Sequence, residues 1–203
     1  IRVCRVADNM RNVAVTEGDK VEAQMKFGWE IDAYPVNEIA EYVQDVSQGD
    51  IDVLVEEYYN KYDILLEGRD PEEFKRHVAV QAQIEIGFEK FLEEKNYQAI
   101  VTHFGDLGAL KQLPGLAIQR LMEKGYGFGG EGDWKTAAMV RLMKIMTAGM
   151  KDAKGTSFME DYTYNLVPGK EGIPEAHMLE VCPTIADGKI SIKEQPLSMG
   201  DRE

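Results

Sequence analysis

Two carboxylates and one imidazole, Glu131, Glu160 and His177, stand in three polar stretches of the chain. These are Gly-Gly-Glu131-Gly-Asp-Trp-Lys-Thr, Ser-Phe-Met-Glu160-Asp-Tyr-Thr-Tyr and Glu-Ala-His177-Met-Leu-Glu-Val-Cys-Pro. Such a donor set suits a hard divalent cation such as Mn²⁺ that keeps open positions for substrate oxygens. The three positions are too far apart for one helix, so separate elements must bring them together. Each also has a blander reading. Glu131 fits a surface acid near a helix N-terminus, favoured by the helix dipole. Glu160, on a strand, shares a face with Phe158, Tyr162 and Tyr164, where a carboxylate is costly without a compensating cation or hydrogen bonds. If that face is exposed, the acid is merely solvated. His177 shares a face with Leu179 and Val181, the usual setting of a hydrogen-bonded core histidine.

The elements that must position these groups follow from periodicity. Residues 1–150 alternate strand and helix patterns. Ile1–Val6, Trp29–Tyr34 and Tyr97–Thr102 read as strands, the last a continuous apolar run suited to a buried parallel strand. Lys20–Phe27 reads as a helix capped by Asp19, and Asn37–Val46 as another. Asp50–Tyr62 is a third, with Val53, Leu54 and Tyr58 on one side. Asp70-Pro71 opens a long helix to about Lys95, with Phe74, Val78, Phe88, Phe91 and Leu92 as its buried stripe. Leu116–Lys124 is helical, as is Asp133–Met150, with Ala137, Val140, Met143, Lys144 and Met146 near its inner boundary. This alternation predicts an α/β fold with a mostly parallel sheet flanked by helices, of Rossmann or flavodoxin type. After Met150 the texture changes: Phe158–Leu166, His177–Cys182 and Lys189–Glu194 read as strands separated by turns, a β-rich segment over 151–203.

Composition narrows the function classes. With 44% hydrophobic and 29% charged residues the chain is globular. A net charge of −13 argues against nucleic-acid binding and against an anionic membrane surface. Two distant cysteines, Cys4 and Cys182, form no disulfide framework, which points to a reducing cytoplasm. No apolar run approaches the ~18 residues of a membrane span. A start at Ile1 inside a strand pattern and an end at Glu203 just after another suggest a piece of a longer protein.

Two further features invite chemistry. Gly125–Gly130 matches G-x-G-x-x-G, but a helix precedes it and a short strand at Tyr126–Phe128 would absorb its glycines, so a turn that presents Glu131 fits better than a dinucleotide site. His103 follows a buried parallel strand, where ligands bind, although a loop histidine without a role is the commoner case. His77, in mid-helix beside Arg76, reads as structural, and the methionines read as core filler.

Taken together, Gly-Glu131-Gly-Asp-Trp-Lys-Thr-Ala, Gly-Thr-Ser-Phe-Met-Glu160-Asp-Tyr-Thr-Tyr and His177-Met-Leu-Glu-Val-Cys-Pro closely resemble the signature segments of the bacterial L-arabinose isomerase family. So do Asp8-Asn-Met-Arg11, Val15–Lys20 and Leu107–Leu121. The resemblance covers essentially the whole chain. It implies the family's middle α/β domain, residues 1–150, followed by the opening strands of its C-terminal β-rich domain, residues 151–203. It further implies a divalent metal, typically Mn²⁺ or another such as Co²⁺, held by Glu131, Glu160, His177 and a second histidine that would fall beyond Glu203. Glu131 and Glu160 are then also the catalytic acid/base pair. Phe104, Tyr162 and Met178 match positions lining the sugar pocket. Val101 matches another, with an apolar side chain where a hydroxyl is expected. The implied reaction is aldose–ketose isomerisation, L-arabinose to L-ribulose and D-galactose to D-tagatose, in a cytoplasmic homo-oligomer, hexamer or tetramer. The 203 residues alone are expected to be inactive. The alternatives are a ketol isomerase for another aldose such as L-fucose, and a non-catalytic scaffold for oligomerisation or sugar binding.

Overall fold

A computed structural model describes residues 1–151, 153, 155–159, 164–172 and 180–195. Four parallel strands form the main sheet: β1 (Arg2–Val6), β2 (Glu30–Tyr34), β4 (Ala99–Val101) and β5 (Gly127–Gly129), in the order β2-β1-β4-β5. The chain runs outward from β1 to β2 and then crosses to the other side of β1, the flavodoxin-like arrangement whose reversal lies between β1 and β4. Side-chain alternation divides the strands between two faces. Cys4, Val6, Ile100 and Phe128 pack under α2 (Val36–Gln44), the C-terminal half of α4 (Pro71–Glu94) and α5 (Gly115–Glu123). Val3, Ala99 and Val101 pack on the other face against Ala23 of α1 (Lys20–Phe27) and Trp134, Ala137 and Ala138 of α6 (Trp134–Thr147). This is the expected helix-flanked parallel sheet.

Helix starts follow local chemistry. Asp19, Ser47 and Asp70 each accept a hydrogen bond from the backbone N–H three residues on, satisfying an orphan donor of the first turn. Helix α4 is long because it serves two cores. Its first half, with Phe74, Val78 and Ala82, packs with Ile51, Val55 and Tyr58 of α3 (Gln48–Lys61). There a second, two-stranded parallel sheet pairs β3 (Asp63–Leu65) with β6 (Ser191–Lys193).

Several expectations are corrected. In α3 the buried stripe is Ile51, Val55 and Tyr58, and Val53 is 70% exposed. In α6, Met143 and Met146 are exposed, Met146 by 62%, and the packing face is Trp134, Ala137, Ala138 and Val140. Small residues are needed there because α6 lies directly on β5. A Cβ on Gly127 would stand 2.1 Å from the Ala137 carbonyl oxygen, and one on Gly129 2.2 Å from that of Asp133. Beyond Met150, the described parts of Phe158–Leu166 and of His177–Cys182 form no strand, apart from one bridge between Asn165 and Gly172. The Cys182 N–H donates to Ser157 Oγ rather than to a strand. Phe158 and Cys182 are instead buried in the first core, Phe158 edge-on to Phe128 at 5.0 Å. Lys144 reaches across to the Thr156 carbonyl and Cys182 Sγ. Among the described residues beyond Met150, β6 matches its expected strand, shortened to three residues. No helix among the described residues is long and apolar enough to cross a membrane.

Candidate active site

The carboxyl ends of β1, β4 and β5 lie side by side, and their loops are laced together by backbone. The Met10 N–H donates to the Glu131 carbonyl at 2.9 Å, and the Gly132 N–H to the Thr102 carbonyl at 3.2 Å. Gly132, at φ 88°, allows this closeness: a Cβ there would stand 2.4 Å from Asn9 Cα. Glu131 itself holds a left-handed backbone, φ 56°, which costs a non-glycine residue about 1–3 kcal/mol and persists only where surroundings over-determine it. Its side chain is half-buried, and among the described residues none donates a hydrogen bond or ion pair to its carboxylate.

Immediately downstream, Asp133 caps α6 by accepting from the N–H groups of Lys135 and Thr136 and from Thr136 Oγ1. Trp134, 2% exposed, donates its indole N–H to Glu17 at 3.1 Å. Glu17 also accepts from Arg5 Nη1 at 2.8 Å and from the Gly18 N–H at 2.9 Å. Burial alone would raise the Glu17 carboxyl, but the hydrogen bonds from Gly18, Trp134 and Arg5 outweigh it and hold it at about 2. Arg5 rises from β1, is itself buried, and pairs with Asp8 at 3.1 Å. Sequence reading assigned no role to Arg5, Glu17, Trp134 or Lys135. The available signal was Arg5, a charge flanked by Cys4 and Val6 inside a strand.

On the β4 loop, His103 Nδ1 accepts from the Gly105 N–H at 2.8 Å, which places its ring proton on Nε2. Phe104 is half-buried beside it, ring centroids 5.7 Å apart. Val101 is fully buried with Val3, Trp134 and Ala137, which accounts for its apolar side chain. His77 bonds Glu194 at 2.9 Å and so ties α4 to the residue after β6. The structure thus brings Glu131 and Phe104 to the same end of the sheet. Glu160, Tyr162, His177 and Met178 lie outside the described residues. Among the described residues no three His, Cys, Asp or Glu side chains gather as a metal site. The glycines of Gly125–Gly130 do not open a helix over a phosphate; Gly127 and Gly129 lie in β5 and seat α6.

Two family models match the chain, the L-arabinose isomerase central domain over residues 2–149 and the L-arabinose isomerase C-terminal domain over residues 155–203. The chain belongs to the L-arabinose isomerase family. Proteins named L-arabinose isomerase from Geobacillus stearothermophilus and Nocardioides sp. are 55% and 52% identical over all 203 residues. One named L-arabinose isomerase 1 from Clostridium acetobutylicum is 55% identical over the same length. The chain spans 40% of the first two relatives and 41% of the third.

Proposed function

We propose that the complete protein is a metal-dependent aldose–ketose isomerase that converts L-arabinose to L-ribulose, and D-galactose to D-tagatose. The observation that carries this reading is 55% identity, across every residue of the chain, to a protein named L-arabinose isomerase. The position of Glu131 supports it. A carboxylate that no described residue neutralises, held in a costly backbone at the carboxyl ends of parallel strands, suits a cation and a sugar. Glu131, Glu160 and His177 would hold Mn²⁺ or a similar ion such as Co²⁺, with a second histidine from beyond this chain. When bound, the ion supplies Lewis-acid stabilisation of negative charge on two adjacent sugar oxygens.

The protein's own groups do the proton chemistry. Isomerisation moves a proton between C1 and C2 while carbonyl and hydroxyl exchange. One of Glu131 and Glu160 takes and returns the carbon proton, and the other serves the oxygen protons. That division needs two carboxyls with different surroundings. Phe104, with Tyr162 and Met178, forms the sugar-facing wall. The complete enzyme is a cytoplasmic homo-oligomer, and the 203 residues alone, short of one ligand, have negligible activity.

The test is an isomerase assay on the complete open reading frame with L-arabinose and Mn²⁺, repeated after chelation and with D-galactose and L-fucose. Ketose formation that stops on chelation is expected. Turnover of L-fucose alone would move the substrate. Absence of any product from folded, metal-loaded protein would overturn the isomerase reading.

A further inference from the structure

We infer that Glu17, gripped by Arg5 and Trp134, is a positioning residue for Glu131 in the isomerase reaction, an inference that rests on the function proposed above. The contacts close a ring. Arg5 leaves β1 and donates to Glu17 Oε2 at 2.8 Å, and Glu17 Oε1 accepts from the Trp134 indole at 3.1 Å. Trp134 lies three residues past Glu131, whose carbonyl accepts from Met10 on the loop that returns to β1. Lys135 reinforces the clamp, its ammonium donating to the carbonyls of Val15 and Glu17, both at 2.6 Å. Gly18 permits it, since a Cβ there would stand 2.9 Å from the Trp134 ring.

A catalytic carboxylate must be held within about 0.5 Å of its productive position. Glu131 occupies a backbone conformation it would not choose, so the restraint must come from its neighbours. Glu17 supplies it as a fixed anion. It stays ionised at working pH because its hydrogen bonds hold the carboxyl at about 2, so it is no candidate for proton transfer. Its two oxygens are committed to the two sides of the ring. In Glu17→Gln one oxygen can stay on the Trp134 side while an amide N–H replaces the acceptor on the Arg5 side and opens the ring there.

The experiment uses the full-length protein and compares wild type, Glu17→Gln, Trp134→Phe and Tyr58→Phe. Tyr58 lies in the second core, away from the carboxyl ends of β1, β4 and β5, and serves as the stability control. For Glu17→Gln, kcat is expected to fall about 10- to 100-fold with KM near the wild-type value, as for a misplaced catalytic group. Its Mn²⁺ affinity, read by calorimetric titration, should fall as well. Trp134→Phe should show a smaller fall of the same kind, and Tyr58→Phe should lower Tm and leave kcat unchanged. Wild-type kcat and Mn²⁺ affinity in folded Glu17→Gln would overturn the inference. If that variant does not fold, wild-type values in Trp134→Phe would do so. A wild-type protein with no isomerase activity would overturn the functional reading and, with it, this role.

Discussion

Two arginines are buried among the described residues, and their surroundings differ in kind. Arg120 is 4% exposed between α3, α4 and α5. Its Nε bonds both oxygens of Glu85, Nη1 bonds the Tyr62 hydroxyl, and Nη2 bonds Glu57 at 2.6 Å. Glu85, fully buried, also accepts from Tyr58 at 2.5 Å and pairs with Lys124 at 2.8 Å. Burial alone would lower the Arg120 guanidinium, but Glu85 and Tyr62 outweigh it and raise it; burial and Glu85 together push the Tyr58 hydroxyl upward. Every nitrogen of Arg120 has a partner. Arg5 is nearly as buried, but its Nε has none among the described residues, and one of its two acids, Asp8, projects into solvent at the sheet's carboxyl end. A saturated buried network favours one packing of three helices. An unsaturated one beside converging loops marks the place where the fold is arranged for something other than its own stability. The comparison therefore assigns stability to the Arg120 side and chemistry to the Arg5 side.

The sharpest test of that division is Glu131→Gln in the complete protein. The substitution keeps shape and removes the acid/base group, so turnover should fall by about 10²- to 10⁴-fold while the melting temperature stays near the wild-type value. A variant that unfolds instead of losing turnover would erase the distinction between the two regions.

Arg120→Met probes the other side. It leaves Glu85 buried with Lys124 and Tyr58 but without its guanidinium, and breaking a buried pair in this way costs about 3–5 kcal/mol. Denaturant unfolding should show that loss, and the protein that remains folded should keep its wild-type kcat. The double variant Arg120→Met with Glu85→Leu should recover much of the stability, because no charge is then stranded.

How far these regions could be read from the sequence depends on the range of the interactions. The caps at Asp19 and Asp70 and the stripe Phe74, Val78, Phe88, Phe91 and Leu92 were legible because they are set within a few residues. The Gly-rich turn that presents Glu131 was legible for the same reason. The Glu17–Trp134 bond was not, since its partners are 117 residues apart. The α3 stripe was misread because Val53 and Ile51 are equally apolar, and only the position of α4 decides which faces inward. The inner face of α6 was misread toward methionine because the helix backbone lies directly on the glycines of β5, so the packing turns on Ala137 and its neighbours rather than on the long side chains further along. In the described parts of the expected strands near Phe158 and Cys182, both side chains are recruited into the first core and the Cys182 N–H bonds a side chain, long-range contacts that periodicity does not show; the rest of those segments lies outside the described residues.

Acid titration sharpens the comparison at a smaller scale. The Glu17 carboxyl is depressed from an ordinary 4.5 to about 2 in the fold. Its contribution to stability is therefore complete above pH 4.5 and is lost as pH falls toward 2. The Tm difference between wild type and Glu17→Gln should shrink across that window and stay constant above it. A constant difference down to pH 2 would mean that the Arg5–Glu17 contact does not hold the carboxylate ionised.

The smallest expected effect runs opposite to the rest. Glu131 sits at φ 56°, where glycine is at no disadvantage and glutamate is strained. Glu131→Gly should relieve that strain and stabilise the protein by about 1 kcal/mol, even though the larger flexibility of an unfolded glycine works against it. The same substitution should abolish turnover. No such gain is expected at Glu85, whose removal leaves the buried Nε of Arg120 without its acceptor. A variant more stable and inactive at 131, beside variants less stable and active at 120, would locate the site by energetics independently of any family likeness. If Glu131→Gly is destabilised instead, the glutamate side chain holds the loops together, and its strained backbone belongs to the fold rather than to the chemistry.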